Sequence, residues 1–171
     1  MILEYKLDDR LQDICEKYEG KVSLIGQSLG GVFARELARR HSKKVKQVIT
    51  LGSPFSVGES GSVNSLVTRL FEKQSGMSVK GMRERFDVSA NDKAPPVPMT
   101  AIFSKGDGIV NWRACRELEA GTQVQNIEVR GSHCGMAFNP AIYYIIRNRL
   151  AQSEDAWEKY HRPGTCQFAP A

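Results

Sequence analysis

The sequence predicts an α/β fold with a mostly parallel sheet and flanking helices. Short runs of strand-forming apolar residues alternate with amphipathic helical stretches, a succession that gives parallel strands joined by right-handed crossovers. The clearest example is the stretch 21–38, where an apolar run at 22–25 leads directly into helical spacing from Leu29 onward. The 171 residues are 41% hydrophobic and 25% charged, which fits one globular domain.

The other elements are predicted from periodicity and from turn residues. Apolar residues three or four apart indicate a first helix over 3–18, and Pro140–Leu150 is a last main helix capped by Asn139. Further strands are expected at 45–51, 99–104 and 125–129, with a short helix at 112–118. The domain is expected to span 1–161, with an irregular, lid-like excursion at 55–93, a helix near 64–71 inside it, and a loose tail at 162–171.

Composition and charge argue against several classes of protein. The formal net charge is +5, and a cluster of cations at 39–46 falls at a predicted helix end without interleaved aromatics, so we expect a solvated helix end and no nucleic-acid binding. No apolar run approaches the roughly 20 residues that span a bilayer, and the first residues do not resemble a signal peptide. We therefore expect no transmembrane segment and a cytoplasmic protein. The four cysteines are scattered without a C-x-x-C pair, so no metal site is predicted.

The junction between the first strand and its helix reads Gly26-x-Ser28-x-Gly30. A serine on a sharp strand-to-helix turn requires glycines two residues on either side, because side chains there would collide. Such a turn exposes the serine hydroxyl. The first N–H groups of the helix have no intrahelical acceptor, so the Leu29 N–H is a candidate donor to an oxyanion. A glycine-rich turn with an ordinary serine is the alternative.

Three candidate catalytic groups, Ser28, Asp107 and His133, each follow the end of a predicted strand. The carboxyl edge of a parallel sheet is where such folds bind ligands. A serine hydroxyl needs a base to become a nucleophile, imidazole can serve as that base, and a carboxylate can orient the imidazole. A structural histidine and a merely turn-forming Asp-Gly pair are the alternatives.

A few neighbouring residues are candidates for substrate binding. Gln27 precedes the serine, Ser53 follows the second predicted strand, and Phe55 offers an apolar surface. Trp112 and Met136 could add further apolar walls to a pocket. Core packing explains each of these apolar residues equally well.

At these residues the chain resembles the α/β-hydrolase superfamily, and within it the lipase and esterase-like serine hydrolases. The likeness is carried by 22–31, 47–55, 106–110 and 131–135, and the chain order Ser, Asp, His is the order of that fold. The run at 52–54 resembles that of lipase-type members and of relatives acting on lipid-anchored substrates. The resemblance implies cleavage of a small-molecule or lipid ester through an acyl-enzyme on Ser28, with no cofactor.

One departure from the family pattern concerns the start of the chain. No strand-loop signal such as His-Gly precedes Leu3, so the loop that supplies the family's second oxyanion donor has no counterpart, and the strand at 22–25 is expected to have an uncovered edge. Either the chain is a fragment, or a partner chain or a second copy covers the edge. A catalytically weak or inactive hydrolase-fold protein that binds or oligomerises is the second hypothesis, and acyl transfer to an acceptor other than water is a third.

Overall fold

In the part of the chain that the structure describes, a parallel sheet of four strands arranged in chain order lies at the centre of the fold. In the computed structural model the strands are β1 (Val22–Gln27), β2 (Val45–Leu51), β3 (Met99–Phe103) and β4 (Val124–Glu128). Every neighbouring pair is parallel. The predicted α/β class with a parallel sheet is therefore confirmed, and β2 has the predicted bounds.

The structure describes residues 2–55, 94–118, 123–153 and 156–161. Most of the predicted lid-like excursion, including the helix expected near 64–71, lies outside the described residues, as does the tail at 162–171. The predicted domain boundaries stay predictions.

Among the described residues, three α-helices flank the sheet: α1 (Ile2–Tyr18), α2 (Leu29–Arg40) and α3 (Pro140–Leu150). Asn139 caps α3 as predicted, because its side-chain oxygen accepts a hydrogen bond of 2.9 Å from the Ala141 N–H. The helix predicted at 112–118 is a single 3-10 turn at Trp112–Cys115, and the 3-10 turns at Ser42–Lys44 and Cys134–Phe138 were not predicted. Within the described residues, no helix combines the length and the apolar character needed to cross a membrane.

Helices cover both faces of the sheet. On the face toward α2, the buried residues Val32 and Leu37 of that helix pack with Leu11 of α1 and with alternate strand residues such as Val48 and Met99. The opposite face packs against α3 and contains Ile49, Leu51, Ile102, Ile127, Ile142 and Ile145. Because strand side chains alternate between faces, each central strand contributes to both core layers.

Strand β1 is an edge strand in the described part of the chain, since it pairs with β2 alone. Ile25 is 45% exposed, whereas its register partner Ile49 is fully buried. The uncovered edge expected for this strand is present among the described residues. That a partner chain or a second copy covers this edge stays a prediction.

The cations at the end of α2 contact α1. Arg40 and His41 both pair with Asp8, at 3.0 and 2.6 Å, and the Lys44 ammonium donates to the Gln12 side chain at 2.5 Å. Part of this cationic cluster therefore connects α2 and the turn after it to α1 through polar side-chain contacts.

One ion pair is buried beside α2. Arg35, fully buried, pairs with the carboxylate of Glu117, which is 5% exposed. Burial lowers the pKa of Arg35, and the nearby Glu117 charge and hydrogen bond oppose that shift. The Arg35 guanidinium also lies 4.1 Å from the centre of the Phe55 ring. Removing one member of such a pair leaves an uncompensated buried charge.

We expect Glu117→Ala to lower the free energy of unfolding by about 3–5 kcal/mol, because the Arg35 charge would remain buried without its carboxylate. Urea denaturation measures this directly. The matched control is Glu128→Ala, which removes an exposed carboxylate paired with Lys105 at 2.9 Å and should change stability by only about 0–1 kcal/mol. If both variants lose the same unfolding free energy, the buried ion pair contributes no more to stability than the exposed one does.

Candidate active site

Ser28 occupies the sharp junction between β1 and α2 in a strained backbone conformation. Its φ is 53° and its ψ is −125°, a region that L-residues rarely adopt and that stores roughly 1–3 kcal/mol. The Ser28 N–H donates to the Leu51 carbonyl at 2.8 Å, which fixes the turn against the end of β2. In the described structure the Ser28 side chain makes no capping hydrogen bond to α2. The Ser28 hydroxyl is therefore not used to cap α2.

Two glycines, Gly26 and Gly31, are required for this turn. Only Gly26 belongs to the pair that the sequence predicts. A methyl group at Gly26 would lie 2.3 Å from the main chain of Gly30. A methyl group at Gly31 would lie 2.0 Å from the Ser53 hydroxyl oxygen, whereas one at Gly30 would meet nothing within 4 Å. The prediction of a steric requirement at Gly30 is therefore wrong. Gly31, rather than Gly30, faces the end of β2 across the first turn of α2.

Asp107 and His133 form a buried hydrogen-bonded pair at the same edge of the sheet. The Asp107 Oδ2 atom lies 2.7 Å from His133 Nδ1, and its Oδ1 atom accepts hydrogen bonds from the N–H groups of Ile109 at 3.0 Å and Val110 at 2.6 Å. The His133 N–H also donates to the Asp107 carbonyl at 3.0 Å. Side-chain and main-chain bonds together orient the imidazole, with its Nε2 atom free of this pair.

The charge of Asp107 is stabilised despite its burial at 4% exposure. Burial alone would raise the pKa of this carboxyl, but the hydrogen bonds from His133, Val110 and Ile109 together hold the pKa below its ordinary value of 3.8. The same carboxylate affects Cys115. Burial, aided by the Asp107 charge, raises the pKa of the Cys115 thiol to about 12, so this cysteine stays protonated beside the site.

Gly52 lets the end of β2 approach this pair closely. Its φ is +53°, and a methyl group there would lie 2.9 Å from Asp107 Oδ2 and 3.2 Å from His133 Nδ1. Ser104 joins the two loops that carry the pair, because its hydroxyl donates to the Gly131 carbonyl at 2.6 Å. Neither role was predicted. Gly52 reads as a turn residue in the sequence, and Ser104 as the last residue of a strand.

Gln27 connects the serine turn to the histidine loop. Its side-chain amide donates to the main-chain carbonyl of His133 at 2.9 Å. The structure therefore brings Ser28, Asp107 and His133 to one edge of the sheet. Within the described residues, the Ser28 hydroxyl and the His133 imidazole share no hydrogen bond. Such bonds are often long without substrate and tighten when it binds.

The other predicted site residues are engaged within the protein. Ser53 is fully buried, with its hydroxyl 3.4 Å from the Gly26 carbonyl and 3.3 Å from that of Leu51. Phe55 is 1% exposed and lies in the core beneath Arg35. The substrate contacts expected for Gln27, Ser53 and Phe55 stay predictions.

The two apolar walls suggested by the sequence have packing partners. Trp112 stacks on Phe103 with ring centres 5.6 Å apart, and Met136 is fully buried in the α3 face of the core. In the described ranges, no three side chains of the types that bind metals cluster together.

Comparison with known proteins identifies the family. Residues 3–88, half of the 171-residue chain, match the model of the family described as palmitoyl protein thioesterase. The chain belongs to this family. The match begins in α1 and includes the strained serine turn of this thioesterase-family chain. Among curated proteins, the sequence comparison gives no significant match.

Solved structures of two lipases and a lactonase share the fold of this chain. A monoacylglycerol lipase from Paleococcus ferrophilus is 14% identical with a TM-score of 0.57, over 84% of this chain and 75% of the lipase. A lipase from Bacillus licheniformis in its mature form is 17% identical with a TM-score of 0.61, over 83% and 70% of the two chains. An enol-lactonase from Burkholderia xenovorans is 16% identical with a TM-score of 0.55, over 87% and 73%. At these identities the likeness establishes the fold.

We expect Gly31→Ala to destabilise the protein strongly, because a methyl group there overlaps the Ser53 hydroxyl. The expected loss is roughly 1–3 kcal/mol, measured by urea denaturation. Gly30→Ala is the matched control one residue away. It introduces a methyl group into open space on a helix, where alanine is favoured over glycine by about 0.5–1 kcal/mol, so stability should be unchanged or higher. A destabilised Gly30→Ala would contradict the assignment.

We expect the stabilising effect of Asp107 to depend on pH. A carboxyl whose folded pKa lies below its unfolded value contributes stability above the unfolded pKa, and that contribution is lost as pH falls through the folded pKa. The difference in unfolding free energy between wild type and Asp107→Asn should therefore reach its maximum above about pH 5 and should decrease below about pH 4. Denaturation across pH 3–7 measures it, and a difference independent of pH would contradict the prediction.

Proposed function

We propose that this chain is a serine hydrolase that cleaves carboxylic esters of fatty acyl groups, thioesters included, through an acyl-enzyme on Ser28. The observation that carries the proposal is the buried Asp107–His133 pair at the sheet edge where strained Ser28 begins α2. Family membership supports it, since the family description names a palmitoyl thioesterase. The family description is the basis for proposing a fatty acyl chain and a thiol leaving group.

Acylation starts with attack of Ser28 Oγ on the carbonyl carbon of the substrate. His133 Nε2 accepts the hydroxyl proton, while Asp107 holds Nδ1 and stabilises the imidazolium. The negative charge that develops on the carbonyl oxygen accepts a hydrogen bond from Leu29, the first residue of α2, whose N–H has no intrahelical acceptor. The tetrahedral intermediate then expels the alcohol or thiol, which takes its proton from His133.

Deacylation repeats these steps with water as the nucleophile. His133 removes a proton from water as the water attacks the acyl carbon, and the proton is then returned to Ser28 Oγ as the acyl–oxygen bond breaks. The products are a free carboxylic acid and the original serine. An acceptor other than water would use the same groups and give acyl transfer.

In this proposal three residues stabilise the walls of the substrate site: Gln27, Ser53 and Phe55. Gln27 restrains the His133 loop, and Ser53 fills the space beneath Gly31. Phe55 is held by Arg35 and by its own N–H, which donates to the Ala114 carbonyl at 3.0 Å. Phe55 is also the first residue of the excursion at 55–93 that the sequence analysis expects to be lid-like.

A second candidate function is favoured by the open edge of β1. Since β1 pairs only with β2 among the described residues and Ile25 is 45% exposed, a strand from another chain could pair there. The protein would then act as a binding or oligomerising module with weak catalysis or none. Reactivity of Ser28 separates the two candidates.

We expect a fluorophosphonate probe to label the wild type and to leave Ser28→Ala unlabelled, because the probe reports an activated serine. Hydrolysis of p-nitrophenyl esters and of a palmitoyl thioester should fall by on the order of 10⁴-fold in Ser28→Ala and in His133→Ala, since triad members act as a unit. Comparing acetyl, butyryl and palmitoyl substrates measures the chain-length preference.

The controls are Ser42→Ala, in the turn after α2, and His161→Ala, an exposed histidine. Both should keep wild-type labelling and rates. Equal labelling of wild type and Ser28→Ala would defeat the enzymatic proposal. Absent labelling of a folded, dimeric wild type would instead support the binding module.

A further inference from the structure

The main chain of His133 is held from two sides by hydrogen bonds. Its N–H donates to the Asp107 carbonyl at 3.0 Å, and its carbonyl accepts from the Gln27 side-chain amide at 2.9 Å. The first bond leads to the loop after β3, and the second leads to the last residue of β1. His133 is therefore bonded to both of the elements that carry the other candidate catalytic groups.

The contacts on the Asp107 side determine the geometry of the acid–imidazole pair. The Asp107 Oδ2 atom lies 2.7 Å from His133 Nδ1, and the Ser104 hydroxyl donates to the Gly131 carbonyl at 2.6 Å. Both Ser104 and Asp107 follow β3, and neither belongs to the strand or the helix that meet at Ser28. These contacts place the imidazole relative to the carboxylate, whereas its distance from the serine depends on other contacts.

On the serine side, a single hydrogen bond reaches the histidine loop. In the described ranges, the bond from Gln27 is the only one between residues 27–29 and the loop at 130–134. Ser28 is itself fixed, because its N–H donates to the Leu51 carbonyl at 2.8 Å. Since Gln27 directly precedes Ser28, its side chain relates the position of the imidazole to the position of the hydroxyl.

The His133 carbonyl has no other strong donor in the described part of the chain. The Met136 N–H reaches it at 3.4 Å, but Met136 belongs to the 3-10 turn that follows the histidine and cannot relate it to Ser28. Gln27 is half-buried and His133 is 7% exposed, so loss of the amide donor leaves this carbonyl poorly paired in a mostly buried setting.

We propose that Gln27 is a positioning residue, which sets the distance between Ser28 Oγ and His133 Nε2 through the His133 carbonyl and not by contact with substrate. Its effect on rate rests on the proposed function. A misplacement of about 1 Å between reacting groups can cost on the order of 10²-fold in rate. The substrate-binding role that the sequence predicts for Gln27 has a different kinetic signature, because lost substrate binding raises KM.

The kinetic test uses Gln27→Met, which keeps the length of the side chain and removes its N–H donor. We expect kcat for p-nitrophenyl butyrate to fall by roughly 10- to 100-fold, with KM changed by less than about twofold. Gln27→Glu, whose ionised carboxylate has the same shape and no donor, gives the same comparison where Gln27→Met fails to fold.

Gln27→His tests whether the donor is the feature that matters. The Nε2 atom of histidine is as many bonds from Cα as that of glutamine, and it can carry an N–H. This variant should therefore keep kcat within about threefold of the wild type. Gln12→Met is the matched control, because the Gln12 amide donates to Glu16 at 2.7 Å on the exposed side of α1. Its kcat and KM should equal those of the wild type.

Proton NMR measures the same geometry without turnover. The Nδ1–H resonance of His133 reports the bond to Asp107, and the Cε1–H resonance reports the surroundings of the ring. We expect Ser28→Ala to shift the Cε1–H resonance in the wild-type background and not in the Gln27→Met background, with the Nδ1–H resonance present in both. His133→Ala assigns these signals among the three histidines.

The two proposals fail in different ways. A wild type that neither hydrolyses esters nor is labelled refutes the hydrolase, whereas a Ser28-dependent shift that is lost in Gln27→Met still supports the positioning role. The positioning role is overturned if kcat is unchanged in Gln27→Met or if the loss is confined to KM. It is also overturned if Gln27→His loses as much kcat as Gln27→Met, if the Ser28-dependent shift persists in Gln27→Met or is absent from the wild type, or if the Nδ1–H resonance disappears in Gln27→Met.

Discussion

The close contact between the first turn of α2 and the end of β2 is the constraint on which the candidate site depends. With no side chain at Gly26 or Gly31, the chain passes from strand to helix over a single residue, and Ser53 fills the space that a side chain at 31 would need. Ser28 takes the unfavourable backbone angles that this reversal demands. In return, the first turn of α2 directs its unpaired N–H groups toward the edge of the sheet where the serine hydroxyl emerges.

The acid and the histidine reach that edge because all four strands run in the same direction. Main-chain contacts then determine their spacing: His133 donates its N–H to Asp107, Ser104 joins the Gly131 loop, and Gln27 holds the His133 carbonyl. The buried Asp107 carboxylate accepts three hydrogen bonds, from the His133 side chain and from the main-chain N–H groups of Ile109 and Val110, and these bonds stabilise its charged form. The site is therefore rigid where the imidazole must be oriented.

Strong local patterns made most of the fold predictable from the sequence. Strand β2 is rich in β-branched and apolar residues and ends at Gly52, and α3 begins with an asparagine cap followed by proline, so both were predicted with their observed bounds. Whether Gly30 or Gly31 is sterically required depends on which face of α2 packs against Ser53. No local sequence pattern shows which face that is. The Ser104 bond and the 3-10 turn at Cys134–Phe138 likewise depend on tertiary contacts. Arg149 reads as an exposed helix residue, yet the segment at 156–161 buries it.

The conformation of Ser28 also bears on whether the chain is an inert relic of its family. Glycine adopts these backbone angles without steric penalty, so a protein freed from chemistry would gain stability of roughly 1–3 kcal/mol by exchanging this serine for glycine. Retaining a hydroxyl there works against thermodynamic stability. In the proposed function, this strain is the structural cost of placing a nucleophile beside the Asp107 carboxylate and the His133 imidazole.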